Sequence, residues 1–338
     1  MKIKIKIKKK KVFNFKSIII DGFAGSGKTI IAPIISSYKL TQNQTISYDF
    51  DNIIILNYLK KLDDQSTIEL LRYISEEILY NNAIGRKINL RKFDHTGALY
   101  NPRINEDKKK LLIRDTSKII KKINKKKLCL NLMSHKVFLN YNIIKKTFTN
   151  NFNFILCIRH PVFLFRHYFN FYKKINSKSH DFQLKIEKNN KVLPWYYNQI
   201  ADQTTSRKGD NILVLFSFLF QEVKKIKKNK NFTIIDFENF IKKPDKYLKI
   251  IEKKNKIKRD KVLLKKVLKL TKIPRESVNE GLKFVNYGII NKKLSEEEFY
   301  KNELRFIKKK ITKKNFSLLK KLINNYNKSW PNLFSKYE

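Results

Sequence analysis

Short apolar runs alternate with longer stretches of helical periodicity along most of the chain, and this alternation sets the expected fold class. Residues 17–21 (SIIID), 45–50, 127–132 (KLCLNL), 152–158 (FNFILCI) and 232–236 (FTIID) have the length and apolar content of buried strands. Between them, residues 28–38, 65–80, 106–123, 141–149, 162–175 and 211–228 carry apolar side chains at helical spacing. Strands apolar throughout, separated by helices, predict an α/β fold of three layers, with a central parallel sheet and helices on both faces. Beyond Pro244 the chain reads as helix only, a helical C-terminal extension that includes residues 295–310 and 314–326. The first of these opens Ser295-Glu-Glu-Glu298, the pattern of a capping box. Two stretches read as loops. Residues 81–105 hold Gly85, Arg86, Arg91, Asp94, His95, Gly97 and Arg103, and residues 177–209 hold Pro194, Trp195 and Gly209. Loops of that length inside an α/β domain are usually functional. No internal repeat and no clear boundary divides the chain.

Composition narrows the function without naming it. With 338 residues, 42% of them hydrophobic, the chain is long enough to bury a core, and wholesale disorder is excluded. The net charge is +46, from 64 Lys and 11 Arg against 29 acids, while Ala and Gly number only 5 and 8. That bias is the signature of an AT-rich genome. The lysines fall on every predicted helix face, whereas a nucleic-acid reader concentrates them in one stripe, so no specific nucleic-acid partner is expected. A positive field of this size attracts anionic small molecules. The longest uncharged apolar run, residues 211–221, is too short to span a bilayer. The first fifteen residues alternate Lys with Ile and do not read as a secretory signal, so a cytoplasmic location is expected. Cys129 and Cys157 lie inside apolar runs and read as core, and the five histidines show no metal-ligand spacing, so no metal site is expected.

The strongest chemical signal is Gly22-Phe-Ala-Gly25-Ser26-Gly27-Lys28-Thr29, directly after the strand SIIID and directly before a helix. It satisfies G-x-x-x-x-G-K-[ST] in the strand–loop–helix context that this phosphate-binding pattern needs, and chance supplies it roughly 0.003 times in such a chain. Glycines let backbone N–H groups turn toward an anion, and the helix N-terminus adds about half a positive charge. Lys28 brings a full charge and Thr29 a hydroxyl. The loop does not say which group is transferred. A kinase or NTPase using Mg-ATP needs an acid for the metal or the acceptor, and Asp49, Asp51 and Asp236 are candidates. A nucleotide-dependent nucleic-acid binder is a third reading, favoured by charge alone. A second anion site is suggested where the strand FNFILCI runs into Arg159-His160-Pro161, since an Arg at a strand end faces the ligand crevice of an open α/β sheet.

Taken in order, these features resemble the sulfotransferase family, which uses 3′-phosphoadenosine 5′-phosphosulfate (PAPS). The phosphate loop Gly22–Thr29 comes first and the strand LNLMSH ending in His135 second. CIRHP, with Arg159 to Pro161, is third, and IIDFENFIKKP, ending at Pro244, is fourth; together they span residues 17 to 250. The resemblance implies a P-loop NTPase-like fold and one sulfotransferase-like domain over residues 1–338, with its core at about 17–250 and the helical part at about 251–338. It implies that Gly22, Gly25, Ser26, Gly27, Lys28 and Thr29 hold the 5′-phosphosulfate of PAPS and that Arg159 binds the 3′-phosphate. His135 becomes the general base and Lys28 the charge-stabilising residue, with no metal required. The acceptor is then a hydroxyl or amine of a carbohydrate, lipid or small molecule. Arg86, Arg91, Asp94, His95 and Arg103, or Trp195, Tyr196 and Tyr197, are candidates for its pocket. Two positions depart from the family pattern: Gly25 stands where the family has Lys or Arg, and His167 where it has a Ser that shares the 3′-phosphate. Arg275 is the substitute for a later phosphate clamp.

Overall fold

The sheet strands are β1 (Lys16–Gly22), β2 (Thr45–Ile46), β3 (Cys129–Met133) and β4 (Phe152–Ile158) and, after an antiparallel hairpin of β5 (Lys185–Lys188) with β6 (Lys191–Pro194), β7 (Phe232–Asp236). They are seen in a computed structural model that describes residues 8–92, 94–149, 151–178, 182–188, 190–278 and 294–337; residues 1–7 of the lysine-rich N-terminus lie outside it. The five form a parallel sheet flanked by helices, in the order β2-β3-β1-β4-β7. β1 thus has β3 on one side and β4 on the other. Its carboxyl end is a topological switch point, where open α/β sheets bind ligands. β3 and β4 are buried at every position and β1 at six of seven, as expected of strands covered on both faces.

The helices are α1 (Lys28–Ser36), α2 (Tyr48–Tyr58), α3 (Asp64–Ile84), α4 (Ile104–Lys110), α5 (Ser117–Lys126), α6 (Tyr141–Phe148), α7 (Pro161–Lys178), α8 (Lys208–Ile226), α9 (Phe237–Lys242), α10 (Pro244–Asn255), α11 (Lys261–Thr271), α12 (Glu296–Lys310) and α13 (Phe316–Ser329). The Ser295–Glu298 capping box forms at the start of α12. Three expectations are corrected. The strand expected at residues 45–50 stops at Ile46, because Ser47 accepts a hydrogen bond from the Phe50 N–H and starts α2. The helix expected over 106–123 is two helices, with Asp115 accepting from the Ser117 N–H where the second begins. Residues 177–209 are not an open loop. They contain the β5–β6 hairpin, and Trp195, Tyr196 and Tyr197 are buried.

The chain divides into two compact units. One gathers the residues up to Asp21, Lys28–Ile155 and Ile251–Leu270; the other gathers Gly22–Gly27, Leu156–Ile250 and the chain from Thr271. In the first, the Asn131 amide on β3 donates to Ala32 O at 3.2 Å and Ser36 Oγ at 3.0 Å, fastening α1 to the sheet. Arg103 donates to Ser36 O, Ser37 O and Tyr38 O at 3.0–3.4 Å, so this loop arginine closes the C-terminal end of α1. In the second unit an aromatic core surrounds His160, whose ring lies 5.0–6.3 Å from those of Phe163, Tyr300, Tyr326 and Phe334. Burial pushes this imidazole down to about 3, so it packs as a neutral ring.

Gly22, the hinge from β1 into the phosphate loop, has φ +135°, and a Cβ there would lie 2.0 Å from Cys157 O. Both the backbone conformation and the space exclude a side chain. Gly22→Ala is expected to destabilise the protein by several kcal/mol, read as a lower urea midpoint or loss of soluble protein. A midpoint equal to that of the parent would show that β4 yields at this position.

Candidate functional site

The phosphate loop is held from outside by α7. Ser26 donates both its N–H and its hydroxyl to Phe23 O, at 3.3 and 2.7 Å, which curls the loop upon itself. Ala24 N–H donates to the buried Tyr168 hydroxyl at 3.1 Å. Gly25 and Gly27 have φ of +79° and +95°, in the region that favours glycine. A Cβ on Gly27 would lie 2.4 Å from the Phe237 ring, and one on Gly25 would lie 2.9 Å from the His167 ring. Gly25 and His167 are therefore neighbours. A side chain at position 25 would require the His167 ring to shift. The loop then runs into α1, whose first residues are the mostly buried Lys28 and the half-buried Thr29. The first N–H groups of any helix have no acceptor within it.

Arg159 belongs to the same body as the loop. Its Nη1 donates to Gly25 O at 3.2 Å, and its guanidinium lies 4.7 Å from the Phe237 ring centroid. Its Nε lies 3.7 Å from Glu238 Oε1, an ion pair without a hydrogen bond. Glu238 is fully buried, accepting from the His160 N–H and the Tyr326 hydroxyl, each at 3.0 Å. The side chain of Arg159 is 19% exposed, so the charge is fixed by its neighbours while part of it stays open to solvent. Arg275 donates through Nε to Lys272 O and through Nη2 to Thr271 O, each at 3.2 Å, and is mostly spent closing the end of α11.

In the first unit, His135 follows β3 on a turn that Asp21 holds in place. The fully buried carboxylate of Asp21, at the end of β1, accepts from Lys136 N–H at 2.6 Å and Phe138 N–H at 2.8 Å. Lys136 has φ +66°, a left-handed conformation that these bonds maintain. His135 Nδ1 lies 2.9 Å from Oδ2 of Asp51, a residue 1% exposed in the first turn of α2. With a buried carboxylate at Nδ1, the neutral imidazole would carry its proton there and keep its lone pair on Nε2. Tyr48, one turn earlier on α2, stacks parallel to the imidazole at 5.9 Å. Asp51, a candidate strand-end acid by sequence, is instead a helical residue that orients a histidine.

Among the described residues no group of three His, Cys, Asp or Glu side chains is placed to hold a metal ion, and no helix is long and apolar enough to cross a membrane. Cys129 and Cys157 are buried, and neither is in a disulfide.

No protein-family model matches the chain, and no curated protein matches it either. Two solved structures with similarity to it are both sulfotransferases. One is the sulfotransferase domain of the Synechococcus PCC 7002 olefin synthase, with a TM-score of 0.37 and 12% identity over 78% of this chain and 81% of that one. The other is sulfotransferase STF9 from Mycobacterium avium, with a TM-score of 0.43 and 10% identity over 94% of this chain and 78% of that one.

Asp21, Asp51, Tyr168 and Glu238 were not assigned these roles from sequence. For Asp51 a signal existed: Ser47 followed by acids at 49 and 51 is a helix N-terminus. Glu238 lies within the acidic-aromatic turn, but its partners come from distant parts of the chain.

Burial pushes the Glu238 carboxyl up to about 7, against the opposing pull of Arg159. The folded value exceeds the ordinary 4.5, so the folded chain holds a proton there that the unfolded chain has released. The stability this confers is complete below pH 4.5 and is lost as pH rises through 7. The thermal midpoint is therefore expected to fall across that window, and Glu238→Gln to flatten the fall. An unchanged slope in the variant would remove Glu238 as its cause.

Proposed function

We propose that the protein is a sulfotransferase that moves a sulfuryl group from PAPS to an acceptor hydroxyl or amine. The observation that carries this reading is Arg159, a guanidinium bonded to the phosphate loop at Gly25 O and braced by Phe237 and Glu238. A donor with a second phosphate away from its 5′-chain has use for such a group beside the loop, and ATP does not. The residues present fit the donor. Gly22 and Gly25–Thr29 would take its 5′-phosphosulfate through backbone amides and Lys28, and Arg159 with His167 its 3′-phosphate. Bound there, PAPS supplies an already polarised sulfuryl group on a phosphate leaving group. Lys28 and the N-terminus of α1 stabilise charge on the departing phosphate. His135 Nε2 takes the proton of the acceptor, and Asp51 keeps the imidazole in the tautomer that permits it. This chemistry needs positioning and proton removal and requires no metal. The reading extends to one sulfotransferase-like domain over residues 1–338, acting in the cytoplasm.

The kinase reading asks for a strand-end acid available to a metal or a nucleophile. Asp236, which does end β7, is occupied by the Tyr247 hydroxyl and the Asn239 amide, and burial raises its carboxyl above the ordinary range. Asp51 is bonded to His135.

Calorimetry with 3′-phosphoadenosine 5′-phosphate and with ATP, each with and without Mg²⁺, tests the donor. Tight, metal-independent binding of the first is expected, and Arg159→Ala is expected to weaken it about 10–150-fold, the worth of a charge-assisted hydrogen bond, while ATP loses less. A preference for Mg-ATP, or equal losses for both ligands, would overturn the assignment. His135→Ala is expected to lower PAPS turnover about 10²–10⁴-fold with binding of 3′-phosphoadenosine 5′-phosphate retained, and Asp51→Asn to lower it in the same direction. Full turnover in His135→Ala would exclude that histidine as the base.

A further inference from the structure

The end of α4 carries three adjacent apolar side chains into solvent. Leu111, Leu112 and Ile113 are 58%, 82% and 40% exposed, although folding normally buries side chains of this type. Among the described residues no other exposed large apolar side chains are neighbours in sequence. Single exposed leucines are ordinary, whereas a contiguous apolar patch marks an interaction surface. The patch sits on a defined turn. The N–H groups of Leu111, Leu112 and Ile113 donate to Lys108 O, Lys109 O and Lys110 O at 3.1–3.3 Å. Lys110 Nζ donates to Asn82 O at 3.1 Å and pairs with Asp107 at 2.5 Å, which ties the turn to the end of α3.

Charge decides between the partners that such a patch admits. Residues 108–127 present nine exposed Lys or Arg side chains against one exposed acid, Asp115, where the whole chain has 75 against 29. Lys108, Lys109 and Arg114 lie within four residues of Leu112, and four residues of chain reach at most about 14 Å. Half of α5, which follows, is lysine; Ile119 and Ile123 are buried while Ile120 is exposed. Apolar side chains among cations fit an anionic lipid surface, where the cations meet headgroups and the leucines enter the acyl boundary. A nucleic acid answers the cations and leaves the leucines in water. A second copy of this chain sets the same cations against these.

We propose that the α4–α5 segment docks the protein on anionic phospholipid, with Leu111, Leu112 and Ile113 inserted at the headgroup level. The hydrogen-bonded turn takes these three residues there with their N–H groups already paired, which removes the main cost of placing backbone in lipid. The docking surface is independent of the sulfotransferase reading, and its test involves neither donor nor acceptor.

The test uses the full-length protein with vesicles of phosphatidylcholine, alone or with phosphatidylglycerol as one lipid in three. A chain of net charge +46 adsorbs on any anionic surface, so insertion has to be read separately from adsorption. Leu112→Trp places a fluorescent probe in the patch, and the two natural tryptophans, Trp195 and Trp330, are buried. On phosphatidylglycerol vesicles the added emission is expected to shift to the blue and to be quenched by lipids brominated on the acyl chain. The double variant Leu111→Ser/Leu112→Ser keeps every charge. In sedimentation at about 0.15 M salt it is expected to bind at least about tenfold more weakly, the effect of losing that apolar area. Lys108→Gln is expected to weaken binding about fivefold. Val262→Ser, at an exposed apolar residue of α11, is expected to bind as the parent does. Equal binding by the parent and the double variant, unquenched emission from Leu112→Trp, or an equal loss in Val262→Ser would overturn the inference. So would binding to duplex DNA, or self-association, that the double variant loses, because the patch would then serve a nucleic acid or a second copy.

Discussion

The carboxylate of Asp21 is the constraint on which the candidate chemistry depends. It ends β1, is fully buried, and gives one oxygen to each of two backbone N–H groups in the segment that carries His135. Charge-assisted bonds of this kind contribute about 1.5–3 kcal/mol each. Ser134 N–H adds a bond to Ile20 O at 2.9 Å, so the end of β1 and the turn after β3 move as one piece. The left-handed Lys136 is the cost of that turn, and it is offset where it arises. His135 thereby acquires a fixed origin, and α2 supplies its orientation through Asp51 and Tyr48.

The phosphate loop is built on a different principle. Its backbone is set by neighbours on α7 and α9 as much as by its own glycines, since Tyr168, His167 and Phe237 occupy the space that side chains on the loop would need. His167 therefore fills the space that a side chain at position 25 would need. The ring beside the backbone at Gly25 is an imidazole, which brings charge only when protonated. Arg159, tied to Gly25 O, supplies the permanent charge on that side of the loop.

The parts legible in sequence are those written in contiguous residues. Apolar runs marked four of the five sheet strands to within two residues, because a parallel strand buried on both faces needs little else to declare itself. The fifth was overrun because Phe50, Ile53, Ile54 and Ile55 continue an apolar pattern that serves a helix, and the Ser47 cap was the only local sign of the change. The turn between β1 and α1 was legible for the same reason of contiguity. Its supports were not. Asp21 with Phe138, Asp51 with His135, Ala24 with Tyr168 and Glu238 with Tyr326 are separated by 84 to 144 residues, and nothing in either partner's neighbourhood announces the other. Arg103 shows the converse case. A polar residue in a long loop invites a role in ligand binding, and here it closes a helix.

Lysines on exposed helix faces make the field around the whole chain positive, which raises the local concentration of any polyanion and its encounter rate at low ionic strength. A nucleotide carrying several negative charges would gain from that field wherever it approached, leaving to the loop and Arg159 only its selection at short range.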